Sequence, residues 1–285
     1  MSRLFAYMAN DPDRVACALY PARKALVAKT EAEQRPLPDS WGIGFVQGEV
    51  LLQRRPKAPV DELDFYGVAK ELRTDTLIGH VRAGTVGKPK NENTHPFRFR
   101  SWMFAHHGTV PCFDKIRGEL LSGVPDFLER NVRGQTDSEL LFHVVLGYLH
   151  EANRLDDPNV STTVVVDALR KAFMRVEELA GREAARAAEC ALAITNGRIL
   201  VATRHGRPVY LFKIQPVIDC PVCRETTPAP GRQPKRIDHE HLRGVLVVAD
   251  APAPVPSAGW QEVPDRHFVL VNHDLRADEA PIYAD

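Results

Sequence analysis

Five groups of polar residues stand where apolar runs end or loops begin, and each has the makings of a chemical site. They are Ser2, Arg82, the stretch Asn91-Glu-Asn-Thr-His95, His106-His107-Gly108, and Asp137. Removal of Met1, which a small second residue permits, would make Ser2 the N-terminus. Its hydroxyl and its own α-amine, with a pKa of about 8, would then form a self-contained nucleophile and base. Arg82 follows an apolar run, where a guanidinium can clamp a carboxylate through two parallel hydrogen bonds or simply pair with a nearby acid. Asp137 opens a helical pattern, so it can hold an ammonium group or serve the helix terminus. A separate group lies further on, where Cys220-Pro-Val-Cys223 precedes Asp238-His-Glu-His241. Cys220, Cys223, His239 and His241 could ligate a structural zinc that pins a proline-rich excursion at about 220–242. The alternatives are two surface thiols with unrelated histidines, or a redox-active pair. His143 and His150, seven apart on one helix face, read as partly buried or surface residues rather than ligands.

The elements that must hold these groups follow from periodicity. Leu4 to Met8 reads as a strand close to the terminus. Trp41 to Val46 and Val50 to Leu52 flank Gly48-Glu49 as a hairpin. Helical spacing spans Asp61 to Leu72, and Thr76 to Arg82 is a buried strand. Ser101 to His107 forms another strand, stopped at Gly108. Thr136-Asp-Ser-Glu139 has the form of a capping box, continued by apolar residues at helical spacing through Ala152. A second long helix spans Val164 to about Ala187. Strands return at Ala191 to Thr195, Ile199 to Thr203 and Val209 to Phe212, the first two joined by an Asn196-Gly197 turn. Thr226 to Lys235 reads as a surface excursion. Val245 to Ala249 and Phe268 to Val271 are the last strands, separated by the proline-rich Asp250 to Ser257. Strands, then two long helices, then strands again is not the alternation of a parallel doubly wound sheet. It predicts an α+β fold of two mostly antiparallel sheets with helices outside, in a single domain over residues 2–285.

Seven blocks, in order, resemble the class II (N-terminal nucleophile) glutamine amidotransferases. They are Met1-Ser-Arg-Leu-Phe-Ala-Tyr7, Asp39-Ser-Trp-Gly-Ile-Gly-Phe45, Gly79-His-Val-Arg-Ala-Gly-Thr85, Glu92-Asn-Thr-His-Pro-Phe97, Phe104-Ala-His-His-Gly108, Thr136-Asp-Ser-Glu139, and Ala193-Ile-Thr-Asn-Gly197 with Arg204-His205. The resemblance implies a four-layer αββα sandwich. It also implies a terminal nucleophile at position 2 that attacks a glutamine side-chain amide. Arg82 would bind the substrate α-carboxylate and Asp137 its α-ammonium, with Thr85 and His95 beside them and His80 in support. Gly108 would offer its backbone N–H to the tetrahedral oxyanion.

The chain departs from that pattern twice. The family opens Met-Cys, whereas residue 2 here is serine, which yields essentially no alkoxide at neutral pH and needs a better-placed base than a thiol does. The family places asparagine before the oxyanion glycine, whereas this chain has His107; removing one such donor from a protease costs about 2.7–4 kcal/mol. Two readings follow: a weakened or redirected amidohydrolase acting on a γ-glutamyl amide, or a non-catalytic member that binds an amino acid or γ-glutamyl ligand.

Composition narrows the partners. Lys+Arg and Asp+Glu both number 37 in 285 residues, giving a formal net charge of zero. No global field therefore draws the chain to nucleic acid or an anionic membrane, and no basic run with interleaved aromatics is present. The expected partner is a small γ-glutamyl molecule, and no cofactor is expected apart from the zinc. No apolar stretch approaches the roughly 20 residues of a membrane span. The N-terminus lacks a secretory h-region. Five cysteines, an odd number, suit buried thiols in a reducing compartment, so the expected location is cytoplasmic.

Overall fold

The computed structural model describes residues 3–29, 39–57, 62–84, 86–183, 189–224, 236–250 and 259–283. The chain begins with β1 (Arg3–Ala9), α1 (Val15–Leu19) and β2 (Val27–Lys29). The hairpin β3 (Ser40–Gln47) and β4 (Glu49–Pro56) turns at Gly48, whose φ of 74° is the left-handed geometry glycine adopts without strain. Next come β5 (Glu62–Asp64), α2 (Phe65–Ala69), β6 (Thr76–Arg82), β7 (Phe97–Phe99) and β8 (Trp102–Gly108). The helices α3 (Phe113–Ser122), α4 (Asp126–Glu129), α5 (Asp137–Glu151) and α6 (Thr162–Arg182) occupy the middle. Then follow β9 (Cys190–Thr195), β10 (Leu200–His205), β11 (Val209–Ile214) and β12 (Gly244–Ala249). The last elements are β13 (Trp260–Glu262), β14 (His267–Val271) and β15 (Ala277–Pro281).

Among the described residues the strands form a seven-stranded sheet, ordered β13-β11-β12-β1-β6-β3-β4, a six-stranded sheet, ordered β15-β14-β10-β9-β8-β7, and a two-stranded β2-β5 pair. Every named pairing in them is antiparallel. Alternation along β1 divides the layers. Leu4, Ala6 and Met8 enter the inter-sheet core with Met103, Ala105, Ala191, Ala193 and Ala202. Phe5, Tyr7 and Ala9 enter the outer core under α1 and α2. Both faces of β1 are covered, so all seven of its residues are buried. On the far side, Phe104, Leu192, Ile194 and Val201 of the second sheet pack against α3, α5 and α6. The layers therefore stack α, β, β, α, in agreement with the architecture expected from the sequence. Among the described residues no helix is long and apolar enough to cross a membrane.

The helix termini show why the middle of the chain folds as it does. Thr136 caps α5 by accepting from Glu139 N at 3.2 Å. The reciprocal half of a capping box is absent, because the Glu139 carboxylate accepts from Arg133 N (3.0 Å) and Gly134 N (2.6 Å) instead. Asn93 ties the same loop down, accepting from Gln135 N at 2.8 Å and donating to Lys88 O at 2.7 Å. The Asn91–His95 motif thus joins two loops beside the start of α5.

Some expectations shift. The helix expected over Asp61 to Leu72 is split: β5 pairs with β2 before the single turn-and-a-half of α2, so tertiary pairing overrides local spacing. The strand expected to stop at Gly108 includes it, paired with Cys190. The helix expected to reach about Ala187 is described to Arg182, and 184–188 lie outside the described residues. So does the excursion at Thr226 to Lys235, and so do all but Asp250 of the stretch Asp250 to Ser257.

Candidate active site

Ser2 and Thr85, two of the expected site residues, lie outside the described residues. The described start of β1 nevertheless has a defined neighbourhood. Arg3 pairs with Val81, and Leu4 pairs with Ala249 on the other side. The strand therefore begins between Arg82, which ends β6, and Asp250, which follows β12.

Arg82 is 4% exposed. Its Nη1 donates to Asp39 Oδ2 at 2.8 Å, and its Nη2 donates to the carbonyls of Val86 (2.6 Å) and Gly87 (2.8 Å). Asp39 is held in turn by its backbone N–H, which donates to Arg82 O at 2.9 Å. The loop after β6 must pass close over the guanidinium. A Cβ on Gly84 would lie 2.4 Å from Arg82 Nη1, so any side chain there would displace the guanidinium.

The second sheet contributes His106, His107 and Gly108 from the end of β8, and α5 contributes Asp137 and Ser138 from its first turn. Asp137 Oδ2 accepts from Val110 N at 2.8 Å, while Oδ1 accepts from Ser138 N at 2.8 Å and from Ser138 Oγ at 3.2 Å. The Ser138 hydroxyl also lies 2.9 Å from His106 Nδ1. A side chain on Gly108 has no room, since a Cβ would lie 2.7 Å from Glu189 O and 2.8 Å from Cys190 Cβ. Arg82, His80, His95, His106, His107, Gly108 and Asp137 line one cavity with about 30 Å³ of free space, water-sized rather than amino-acid-sized.

His107 bridges the two sheets. Its Nε2 lies 2.5 Å from Asp250 Oδ2, and Arg207 Nη1 lies 3.0 Å from the same oxygen and 2.9 Å from the same nitrogen. The short contact requires a proton between imidazole and carboxylate, so Nε2–H donates to Asp250 and Arg207 donates alongside it. Burial would raise the Asp250 carboxyl. The hydrogen bond and charge of His107, together with Arg207, outweigh burial and hold it below its ordinary range.

The other three histidines of the cavity are kept neutral. Burial, the main cause, pushes His106 down to about 4, with Asp137 pulling up and the His107 and Arg207 charges pushing further down. Burial lowers His80 and His95 well below the usual imidazole range, and the nearby cationic groups add to it. Their rings lie in contact, tilted by 38° with centroids 4.2 Å apart. Both nitrogens of each are enclosed without a hydrogen-bond partner among the described residues. Cys190, next to Gly108, is inert: burial pushes its thiol up to about 12.

The Cys/His group expected in the 220–242 region assembles with one different member. Cys220, Cys223 and His239 converge with Cys17 from α1. His241 is exposed and stands outside this group of four. A His-X-His pair shares a face only on a continuous strand. Here His239 makes an isolated bridge to Val217, and the chain turns before His241. Sequence reasoning missed Cys17 because about 200 residues separate it from its neighbours in the fold. It also missed Asp39, Arg207 and Asp250. Asp250 carried a usable signal: like Arg82, it stands at the end of a buried apolar strand.

Residues 1–223 match the family model described as glutamine amidotransferases class-II. The chain is 28% identical over 220 residues to the probable glutamine amidotransferase DUG3 of Saccharomyces cerevisiae, covering 72% of this chain and 59% of the yeast protein. It is 38% identical over 74 residues to the gamma-glutamyl-hercynylcysteine sulfoxide hydrolase of Mycobacterium tuberculosis, 25% of this chain and 32% of that one. The chain thus spans less than two thirds of the length of each of these relatives. Among solved structures, a glutamine aminotransferase class-II domain protein from Silicibacter pomeroyi superposes with a TM-score of 0.59 at 20% identity, over 99% of this chain and 100% of that one. A predicted glutamine amidotransferase from Pseudomonas aeruginosa gives 0.53 at 19%, over 97% and 95%. At these identities the structural likeness speaks to the fold.

Proposed function

The chain belongs to the class II glutamine amidotransferases, and on that premise we propose that it hydrolyses the γ-glutamyl amide of glutamine or of a small γ-glutamyl compound. Ser2, freed by loss of Met1, is the nucleophile in this reading, with its α-amine relaying the proton. The observation that carries the proposal is that Arg82, His95, His107, Gly108 and Asp137, scattered over 56 positions of sequence, line a single cavity. The described start of β1 lies alongside, between Arg82 and Asp250.

The roles follow from what each group has to spare. A substrate α-carboxylate takes the place of Asp39 or of the Val86 and Gly87 carbonyls on the Arg82 guanidinium, so binding requires either Asp39 or the loop after β6 to shift. Asp137 accepts three hydrogen bonds of the roughly four a carboxylate can take, leaving one for an α-ammonium. Gly108 N–H receives the oxyanion. The neutral His80, His95 and His106 add no cation that would repel an ammonium.

One observation favours a second reading, in which the protein binds the ligand without cleaving it. His107 Nε2 is committed to Asp250, so its ring does not reproduce the short amide donor of the family. Intact mass before and after exposure to a diazo-ketone glutamine analogue separates the two. Loss of Met1 with a stable adduct at Ser2 is the result expected of the hydrolase. A freed Ser2 that never labels, where a cysteine-bearing relative does, overturns it.

A further inference from the structure

A second constellation lies in the outer core under α1 and α2, apart from the residues lining the cavity. Cys17, Cys220, Cys223 and His239 place one ligand atom each within 4.8 Å of all the others. A tetrahedral zinc with Zn–S of about 2.3 Å needs its donors about 3.5–3.8 Å apart, a contraction of no more than about an ångström. Cys17 Sγ and Cys223 Sγ are already 3.3 Å apart. Cys17 and Cys220 are buried, and His239 Nε2 is enclosed without a hydrogen-bond partner among the described residues.

The backbone holds these donors in place independently of any ligand. Val217 and His239 exchange both backbone hydrogen bonds, at 3.3 and 2.7 Å. Cys220 N donates to Ile237 O at 2.8 Å, and Arg224 N donates back to Cys220 O at 2.9 Å, closing the Cys220-Pro-Val-Cys223 turn into a knuckle. Asp219 N is held by Asp238 Oδ1 at 2.7 Å. Two segments about 20 residues apart are thereby clamped over α1.

We propose that Cys17, Cys220, Cys223 and His239 form a Cys3His structural zinc site. Three thiolates and a neutral imidazole in a four-donor group suit zinc above the harder divalent cations. Around a dication the set carries one net negative charge, and Arg14, with Nη1 3.9 Å from Cys223 Sγ, supplies the balancing positive one. Such a site also fits the mechanics of this layer. The second sheet is covered by helices of 15 and 21 residues, whereas α1 and α2 have five residues each. Helices that short have little stability of their own, so a metal tying α1 to the segment that leads into β12 replaces what longer helices supply elsewhere.

The test is metal content of the full-length chain, purified under reducing conditions and dialysed. Wild-type protein should retain about one zinc per chain, and Cys17→Ser and Cys220→Ser should fall to roughly a tenth of that, whereas His241→Ala should keep it. Should the cysteine variants fail to fold, cobalt exchanged into wild-type protein should give the intense absorption of a tetrahedral thiolate site. Metal-free wild type that takes up neither zinc nor cobalt overturns the assignment. So does a Cys17–Cys223 disulfide found by peptide mapping of protein handled under reducing conditions, or loss of metal in His241→Ala with retention in Cys17→Ser.

Discussion

Replacing Asp250 with asparagine removes a charge while keeping the shape, and so isolates the hydrogen bond to a carboxylate that joins the two sheets at the site. The His107 side chain is 10% exposed and that of Asp250 11%, so their contact is worth close to the full value of a buried charge-assisted hydrogen bond, about 1.5–3 kcal/mol. Arg207 is 35% exposed, and its share shrinks to about 0–1 kcal/mol. Asparagine recovers part of this by accepting one hydrogen bond. Asp250→Asn should therefore cost about 2–3 kcal/mol, read as a fall in the thermal midpoint of about 4–10 °C at pH 7.5. His107→Asn and the double variant complete a cycle whose coupling energy should be about 1–2 kcal/mol. A loss below about 0.5 kcal/mol for Asp250→Asn, or an additive cycle, would refute the bridge and the single-tautomer assignment built on it.

Two further outcomes follow from the same geometry. His106 is held down at about 4, against about 6.5 for a free imidazole. Between these values the unfolded chain binds the proton that the folded one refuses. The stabilisation, about 3 kcal/mol, is complete above pH 6.5 and is lost as pH falls toward 4, with His80 and His95 adding in the same direction. Denaturant midpoints should fall steadily from pH 7 to 5, and a flat profile contradicts three buried neutral imidazoles. Gly84→Ala places a methyl 2.4 Å from Arg82 Nη1 and must push the guanidinium off Asp39. It should destabilise the fold by about 1–3 kcal/mol and abolish labelling by the diazo-ketone analogue, and unchanged labelling would remove Arg82 from the substrate site.

Much of this architecture was legible because its signals are local. The short apolar runs from Leu4 to Met8 and from Thr76 to Arg82 yield strands at those positions. Arg82, His107, Gly108 and Asp137, singled out by type and position at element ends, come together around one cavity. What stayed hidden was non-local or weakly patterned. Cys17 meets Cys220 only because α1 packs across the segment before β12. The Asp250–His107 contact depends on two strands from different sheets ending side by side. β15, with its sequence Ala-Asp-Glu-Ala-Pro, has neither β-branched residues nor apolar alternation, and is a strand because β14 offers it an edge. Glu139 was expected to reach back to Thr136, yet the Arg133–Gly134 turn presents two N–H groups nearer at hand.

The alanines between the sheets have a consequence beyond packing. Ala6 on one sheet and Ala105, Ala191, Ala193 and Ala202 on the other are at most 1% exposed. The groups around the cavity divide along the same seam, with Arg82 and Asp250 on one side and His106, His107 and Gly108 on the other. These methyl groups therefore act as the shims of an instrument whose two jaws carry the working parts. A thicker shim, an alanine exchanged for valine far from the cavity, opens the jaws everywhere at once. In this layer, latitude for mutation is governed by alignment of the jaws, and function should drift there before the fold gives way.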